Sequence, residues 1–228
     1  MLGIIGAVNE EAEVIKGEMK NLVEEKVGEI QFFKGELYGK EAVFAQSGIG
    51  KVNGAITAAL MIHMYSPDSI IFSGVAGSLD GKIKIGDIVV GTDVLQYDFD
   101  ATELGYERGE IPGIGTRFFK SDPELLKKAE KMENGIYTLH FGRILTGDSF
   151  VSGKEKKEQL GREFEALCVD MESGAVAQVC HKFKVKFMII RSISDSLSDN
   201  SEMEYYKFVK LAAENSKEIL KQILAQII

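Results

Sequence analysis

Acidic side chains follow three separate apolar segments of the chain. Glu11 comes shortly after the first of these segments, Glu172 after a later one, and Asp195 after a third. Clustered carboxylates suit acid–base chemistry, in which one acid protonates a leaving group and another group activates water. Cleavage at an acetal-like carbon fits best, because nearby negative charge stabilises its cationic, oxocarbenium-like transition state. Each acid alone could simply favour a helix N-terminus, but three converging segments argue against that explanation for all of them.

The apolar segments alternate with helical patterns, which predicts a single α/β domain over residues 1–228. The predicted strands are Leu2–Ala7, Ile30–Leu37, Ala42–Ala45, Ser69–Phe72, Asp87–Tyr97, Leu139–Leu145, Ala166–Val169 and Val185–Ile193. The predicted helices are Glu10 to about Asn21, Gly50–Met64, Asp122–Met132, Gly153–Leu160, Glu172–Phe183 and one from about Glu204. Continuous apolar strands indicate a central mixed sheet with helices on both faces. In open sheets of this kind ligands bind beyond the carboxyl ends of the strands, where these acids stand.

Two glycine-rich segments are predicted as turns beside the strand ends. They are Ser47-Gly48-Ile49-Gly50-Lys51 and Gly74-Val75-Ala76-Gly77. Glycine lets the backbone approach a ligand closely. The first segment misses the dinucleotide-binding spacing by one residue and is not a Walker A loop, so a purely structural role stays open for both. The long segment Asp98–Phe118 has little periodicity, and a loop of that length is usually functional.

The composition excludes several classes of partner and cofactor. The 228 residues carry a formal net charge of −8, which disfavours a nucleic-acid binder. The chain lacks an apolar stretch of roughly 20 residues and a signal-peptide pattern, so we expect a cytoplasmic protein without a membrane partner. Cys168 and Cys180 do not form a disulfide framework, and we expect Cys180 and Phe183 on the apolar face of one helix. The segment Asp98–Asp100 has Glu103 where a calcium loop needs Gly, and no His/Cys spacing suits zinc; we therefore expect no metal.

Seven motifs in order resemble those of the 5′-methylthioadenosine/S-adenosylhomocysteine nucleosidases, in the nucleoside phosphorylase superfamily. They are Gly3-Ile4-Ile5-Gly6-Ala7 with Glu10-Glu11, Ser47-Gly48-Ile49-Gly50-Lys51-Val52, Gly86-Asp87-Ile88-Val89-Val90, Gly105-Tyr106-Glu107 with Pro112-Gly113, Gly147-Asp148-Ser149-Phe150, Asp170-Met171-Glu172-Ser173 and Arg191-Ser192-Ile193-Ser194-Asp195. The resemblance covers nearly the whole chain. It implies a nucleoside-phosphorylase-like fold and hydrolysis of the bond between adenine and a thioribose sugar, without a cofactor.

The resemblance also implies roles for the residues around the sugar. Glu11 corresponds to the base that activates water, and Asp195 to the acid that protonates N7 of the leaving adenine. Glu172 corresponds to the ligand of the ribose hydroxyls, with Met171 against the sugar face and Arg191 beside the water and the carboxylates. We expect Asp195 to carry a proton, or to acquire one on binding, and Glu11 to remain ionised.

Further residues are implied around adenine, the alkylthio group and the subunit interface. Phe150 and Val151 correspond to the adenine contacts, and Ile49 and Tyr205 to the wall around the alkylthio group. Candidate substrate-binding residues also include Gly77 and Ser194. The resemblance places three residues of the long loop in a partner's pocket, which implies a homodimer: Leu104, Tyr106 and Pro112.

Three departures from the family pattern stand near these motifs. Val75 replaces the usual Ser, Ser78 the usual Gly, and Asp170 the usual Glu. The alternative functions are a nucleoside phosphorylase, another purine nucleoside hydrolase such as one acting on futalosine, and a non-catalytic purine sensor. Phosphate sites favour arginine forks, and neither of the first two glycine motifs contains arginine. We therefore expect water as the nucleophile.

Overall fold

The computed structural model describes residues 1–132, 137–198 and 200–226. In these ranges the strands are β1 Leu2–Gly6, β2 Met19–Val27, β3 Ile30–Leu37, β4 Lys40–Gln46, β5 Ser69–Ser78, β6 Ile88–Gln96, β7 Phe119–Lys120, β8 Leu139–Thr146, β9 Ala166–Asp170 and β10 Lys186–Asp195. The helices are α1 Asn9–Glu18, α2 Lys51–Tyr65, α3 Pro123–Ala129, α4 Lys154–Phe164, α5 Ser173–Phe183 and α6 Ser201–Gln226. Strand–helix alternation thus produces the predicted α/β fold.

All the strands belong to one mixed sheet, part of which closes on itself. The strand order is β10-β6-β8-β9-β5-β1-β4-β3-β2, and β10 also pairs with β5. Strands β5, β10, β6, β8 and β9 therefore form a ring, whereas an open sheet was predicted. The first, parallel part of the sheet continues from β5 through β1 to β4, and β3 and β2 complete its edge antiparallel.

Helices cover both faces of the sheet, as predicted. On one face α2 and α5 pack against a core that includes Met61, Val176 and Phe72. On the other face α6 contributes Ile219 and Ile223 to a second core, to which α1 and α3 also belong. Helix α4 lies over a third, smaller cluster. Among the described residues, no helix combines the length and the apolar character needed to cross a membrane.

The chain around Met19 differs from the prediction. Helix α1 ends at Glu18 instead of about Asn21, and the next residues form the edge strand β2. Most of β2 is exposed and it pairs only with β3, with a register shift between Lys20 and Val23. An exposed edge strand lacks the alternation of apolar and polar residues that identifies a half-buried strand, which explains why the sequence did not reveal it.

Two further predictions about apolar residues had different outcomes. Cys180 is fully buried in α5, as expected, but Phe183 at the end of this helix is 54% exposed.

The predicted turn Gly74–Gly77 is wrong, because β5 continues through both glycines to Ser78. Tertiary contacts, not turn geometry, account for these glycines, as the site shows.

Candidate active site

Glu11 lies in the first turn of α1 and points back to the end of β1. Its Oε2 accepts hydrogen bonds from the amides of Ala7 (2.5 Å) and Val8 (3.1 Å), and its Oε1 accepts one from Val75 in β5 (2.9 Å). Burial raises the pKa of this carboxyl, while the charge of Arg191 and the three amides oppose the rise. The result is a buried, fixed carboxyl whose ionised form is a stronger base than an exposed glutamate.

Glycine at two positions of β5 makes room for functional side chains. A Cβ at Gly74 would lie 2.8 Å from Arg191 Nη1 and 2.9 Å from Glu11 Oε1. A Cβ at Gly77 would lie 2.8 Å from Oδ2 of Asp195. The absence of these side chains therefore lets an arginine and two acids converge on one strand.

Asp195 ends β10 and is held from two sides. Its Oδ1 accepts a hydrogen bond from Ser194 Oγ at 2.8 Å. Its Oδ2 lies 2.5 Å from Nζ of Lys157, a residue of α4 whose side chain is fully buried. Lys157 also donates to the carbonyl oxygen of Ser196 at 2.6 Å. An ammonium group thus faces the carboxyl that the sequence analysis assigned as the acid.

Glu172 and Asp170 share the buried charge of Arg191. Arg191 donates from Nε to Asp170 Oδ2 at 2.7 Å, and its Nη2 lacks a hydrogen-bond partner among the described residues. Burial and the charge of Asp170 raise the pKa of Glu172 to about 8, although Arg191 and the amide of Gly50 act against the shift. A carboxyl that keeps its proton near neutral pH can both donate and accept hydrogen bonds.

These groups line one cavity of about 450 Å³. Besides five acids and Arg191, its wall includes Phe150, Val151, Met171 and Tyr205. The rings of Phe150 and Tyr205 meet edge to face with their centroids 5.9 Å apart. Burial and nearby carboxylates raise the pKa of Tyr205 to about 12, so its hydroxyl stays neutral. The cavity therefore combines acidic groups with apolar and aromatic ones, which suits a flat, polar heterocycle joined to a sugar.

The structure brings together most of the residues that the sequence analysis selected. Those that line the cavity are Glu11, Ile49, Gly77, Phe150, Val151, Met171, Glu172, Arg191, Ser194, Asp195 and Tyr205. Leu104, Tyr106 and Pro112 are not in its wall; they lie in an exposed part of the long loop, where Leu104 is 75% exposed. Arg108 ties this loop to the body of the protein through the Tyr97 carbonyl and Glu163.

One polar cluster fixes the loop that carries Phe150 of the aromatic wall. Lys51, the first residue of α2, donates from Nζ to Asp98 at 2.7 Å and from its amide to Asp148 at 2.8 Å. Asp98 in turn accepts from the amide of Asp148. These contacts hold the segment before Phe150 against the start of α2, which gives Lys51 and Asp98 a structural role.

Sequence reasoning missed three residues at the site. Glu202 and Tyr206, from the first turns of α6, lie in the cavity wall because the helix begins at Ser201, not at Glu204 as predicted. Lys157 was also missed. A signal for it exists, because Lys157 shares the buried face of α4 with Leu160 and Phe164 at helical spacing. In the described ranges, no group of three or more His, Cys, Asp or Glu side chains could hold a metal ion.

Comparison with known proteins shows to which family the chain belongs. A family model described as the phosphorylase superfamily matches residues 1–225. A 5′-methylthioadenosine/S-adenosylhomocysteine nucleosidase of Staphylococcus haemolyticus is 40% identical over 226 residues, which are 98% of this chain and 99% of that protein. The chain belongs to this nucleosidase family. It is therefore an enzyme that hydrolyses N-glycosidic bonds.

Solved structures agree with the fold of this nucleosidase. The crystal structure of the Neisseria meningitidis 5′-methylthioadenosine/S-adenosylhomocysteine nucleosidase, in complex with methylthio-immucillin-A, is 36% identical with a TM-score of 0.93. The futalosine hydrolase of Helicobacter pylori is also 36% identical, with a TM-score of 0.93. In both cases the match covers 98% of this chain and 97% of the other. The fold thus agrees with both relatives and does not by itself distinguish their two named activities.

Proposed function

We propose that the enzyme hydrolyses 5′-methylthioadenosine and S-adenosylhomocysteine, releasing adenine and the thioribose sugar. The observation that carries this proposal is a single cavity whose wall contains Glu11, Glu172 and Asp195 together with Phe150 and Val151. The names of the relatives support the same substrates. Acids and an aromatic ring in one cavity match a sugar joined to adenine.

In the proposed reaction one residue acts on the attacking water and another acts on the leaving group. Glu11 takes a proton from the attacking water, and its fixed position among three amides keeps the acceptor oriented. Asp195 gives a proton to N7 of adenine, so that the base leaves as a neutral molecule. As the glycosidic bond breaks, its electron pair goes to adenine and the sugar becomes cationic. The carboxylates of the cavity stabilise that charge.

The sugar and base are positioned by the other wall residues. Glu172, whose carboxyl can donate as well as accept, binds the ribose hydroxyls, and Met171 lies against the sugar. Phe150 stacks on adenine, and the backbone around Val151 binds its polar edge. Ile49 and Tyr205 enclose the alkylthio group. The unpartnered Nη2 donor of Arg191 is available to the water or to a hydroxyl.

We further propose that the active unit is a homodimer. The exposed Leu104, Tyr106 and Pro112 extend from a loop whose base is anchored by Arg108. On α2, Val52 is 68% exposed and Ile56 is 46% exposed, one helical turn apart. An apolar surface of this kind beside the cavity is typical of an interface between copies.

A phosphorylase is disfavoured by the charge of the cavity. Arg191 is the one Lys or Arg in its wall as described, beside Glu11, Asp170, Glu172, Asp195 and Glu202. Such a surface repels a phosphate dianion. A futalosine hydrolase is the closer alternative, because the similar Helicobacter pylori protein carries that name.

The deciding experiment measures the products in phosphate-free buffer with a chelator, before and after phosphate is added. We expect adenine and free methylthioribose from methylthioadenosine at the same rate in both. A sugar product that carries a 1-phosphate, or a requirement for phosphate, would overturn water as the nucleophile. Parallel assays with S-adenosylhomocysteine and futalosine rank the substrates by kcat/KM, and a higher value for futalosine would replace the proposed substrates.

A further inference from the structure

Lys157 is the most unusual buried charge outside the cavity wall. Its side chain is 0% exposed, and Nζ has two close acceptors, Oδ2 of Asp195 at 2.5 Å and the carbonyl oxygen of Ser196 at 2.6 Å. The other lysines of α4, Lys154 and Lys156, are exposed. Lysine is almost never fully buried unless it is paired. A buried lysine whose Nζ contacts the proposed acid therefore requires an explanation in terms of that acid.

The surroundings leave Asp195 as the partner of Lys157. From α6, Glu204 contributes a more distant negative charge, and it is itself occupied by the amide and hydroxyl of Ser196. From β9, Cys168 lies near both Asp195 and Asp170, and Asp170 is bound to Arg191. Lys157 and Asp195 thus form one buried pair that holds a proton between the Lys157 amine and the Asp195 carboxylate.

We propose that the Lys157–Asp195 pair stores the proton that adenine N7 receives, with Lys157 as a positioning residue that acts through Asp195. This inference rests on the proposed function. An ammonium beside a carboxylate holds the same number of protons as an amine beside a carboxylic acid. The pair can therefore present a protonated Asp195 without taking a proton from solvent.

The proton balance of a turnover closes. A proton leaves Nζ of Lys157 as the O–H bond forms on Asp195, and the carboxyl then passes a proton to N7 while the glycosidic bond breaks. The water gives one proton to Glu11 and its hydroxyl to the sugar. After the products leave, the proton on Glu11 returns to solvent and the amine of Lys157 takes one up. Water is the only reagent consumed.

This arrangement explains why the carboxyl is held by an ammonium and a hydroxyl at once. Ser194 fixes Oδ1 and Lys157 fixes Oδ2, so Asp195 keeps its orientation while its proton moves. Exclusion of water by a bound nucleoside weakens the charged form of the pair relative to the neutral form. Substrate binding thus moves the proton toward the carboxyl.

The test is the pH profile of kcat/KM for the wild type, Lys157→Met and the control Lys156→Met, which changes an exposed lysine of the same helix. If the pair stores the proton, the activity of the wild type should extend into the alkaline range. In Lys157→Met the proton sits on Asp195 alone. We expect its alkaline limb to move down by at least one pH unit, with activity near that of the wild type at low pH and no change in Lys156→Met.

The opposite results are informative. If Lys157 only suppresses protonation of Asp195, its removal moves the alkaline limb up; if it is only structural, activity falls equally at every pH. Either result overturns the proposal. Should Lys157→Met not fold, Lys157→Gln retains an N–H donor without a transferable proton, and the same downward shift is expected. Failure of the wild type to release adenine would instead overturn the proposed function, whatever the variants do.

Discussion

The backbone amide of Gly50 lies 2.8 Å from Oε1 of Glu172, so a residue at the start of α2 holds a carboxyl 122 positions later in the chain. The two helices behind them are in close contact, because a Cβ at Gly54 would lie 3.2 Å from Val176. The helix contact therefore sets the position of Glu172 at the cavity. Loss of this register would move the proposed ribose ligand even if every side chain were retained.

Glu11→Gln should lower the rate of adenine release by about 10²–10⁴-fold, the usual contribution of a positioned base. The amide cannot take a proton from water, and its NH₂ group would face the amides of Ala7, Val8 or Val75. We also expect a loss of about 1–3 kcal/mol in stability, as for an unsatisfied buried donor. Steady-state assays and thermal melts measure both effects. The control is Glu13→Gln, an exposed position of the same helix; a Glu11→Gln enzyme with more than about a tenth of wild-type turnover would refute the role.

Gly77→Ala should reduce kcat strongly while most of the fold persists. The new Cβ would lie 2.8 Å from Asp195 Oδ2 and must displace this carboxyl. The matched control is Gly17→Ala in α1, where a Cβ meets nothing within 4 Å. That change should leave activity intact and stabilise the protein by about 0.5–1 kcal/mol, since alanine favours helix. Equal activity of the two variants would contradict the proposed tight contact.

Val52→Asp combined with Ile56→Asp should convert a dimer to monomers and lower activity, because the loop carrying Leu104 then loses its partner. Sedimentation velocity gives the assembly state and adenine release the activity. Val23→Asp is the control, since Val23 is similarly exposed (64%) but lies on the edge strand β2. A wild-type protein that sediments as a fully active monomer would remove the proposed interface.

Glu172→Gln should change how stability depends on pH. The pKa of Glu172 is about 8 in the folded protein and 4.5 as its ordinary value, so the folded state binds the extra proton between these pH values. Its contribution to stability is therefore complete below pH 4.5 and is lost as the pH rises to about 8. The variant lacks this loss of stability. The melting temperature of the variant minus that of the wild type should therefore increase from pH 5 to pH 8.5. A constant difference over that range, measured with Glu13→Gln as reference, would show that Glu172 titrates normally.

The strand ends that carry the acids could be predicted, because each follows a continuous apolar run that only a buried strand explains. Other features depend on partners that are distant in sequence. Gly74 and Gly77 look like turn residues, but the side chains of Glu11, Arg191 and Asp195 require them in a strand. The spacing of Lys157 from Leu160 in α4 indicates its buried face, but its contact with Asp195 follows only once α4 is packed against the end of β10. The closure of β10 onto β5 likewise has no local signal.

The closed ring of strands also determines the order in which segments of the protein unfold. Strand β5 pairs with β1, β9 and β10, whereas the edge strand β2 pairs with β3 alone. Backbone amides exchange with solvent when their segment opens, and a segment bonded on several sides opens least often. Deuterium should therefore enter β2 early and the β5–β10 ladder, which carries Val75 and Asp195, late. Asp195, the proposed acid, then sits on the part of the molecule that unfolds last, so the β2 edge can open while Asp195 keeps its place.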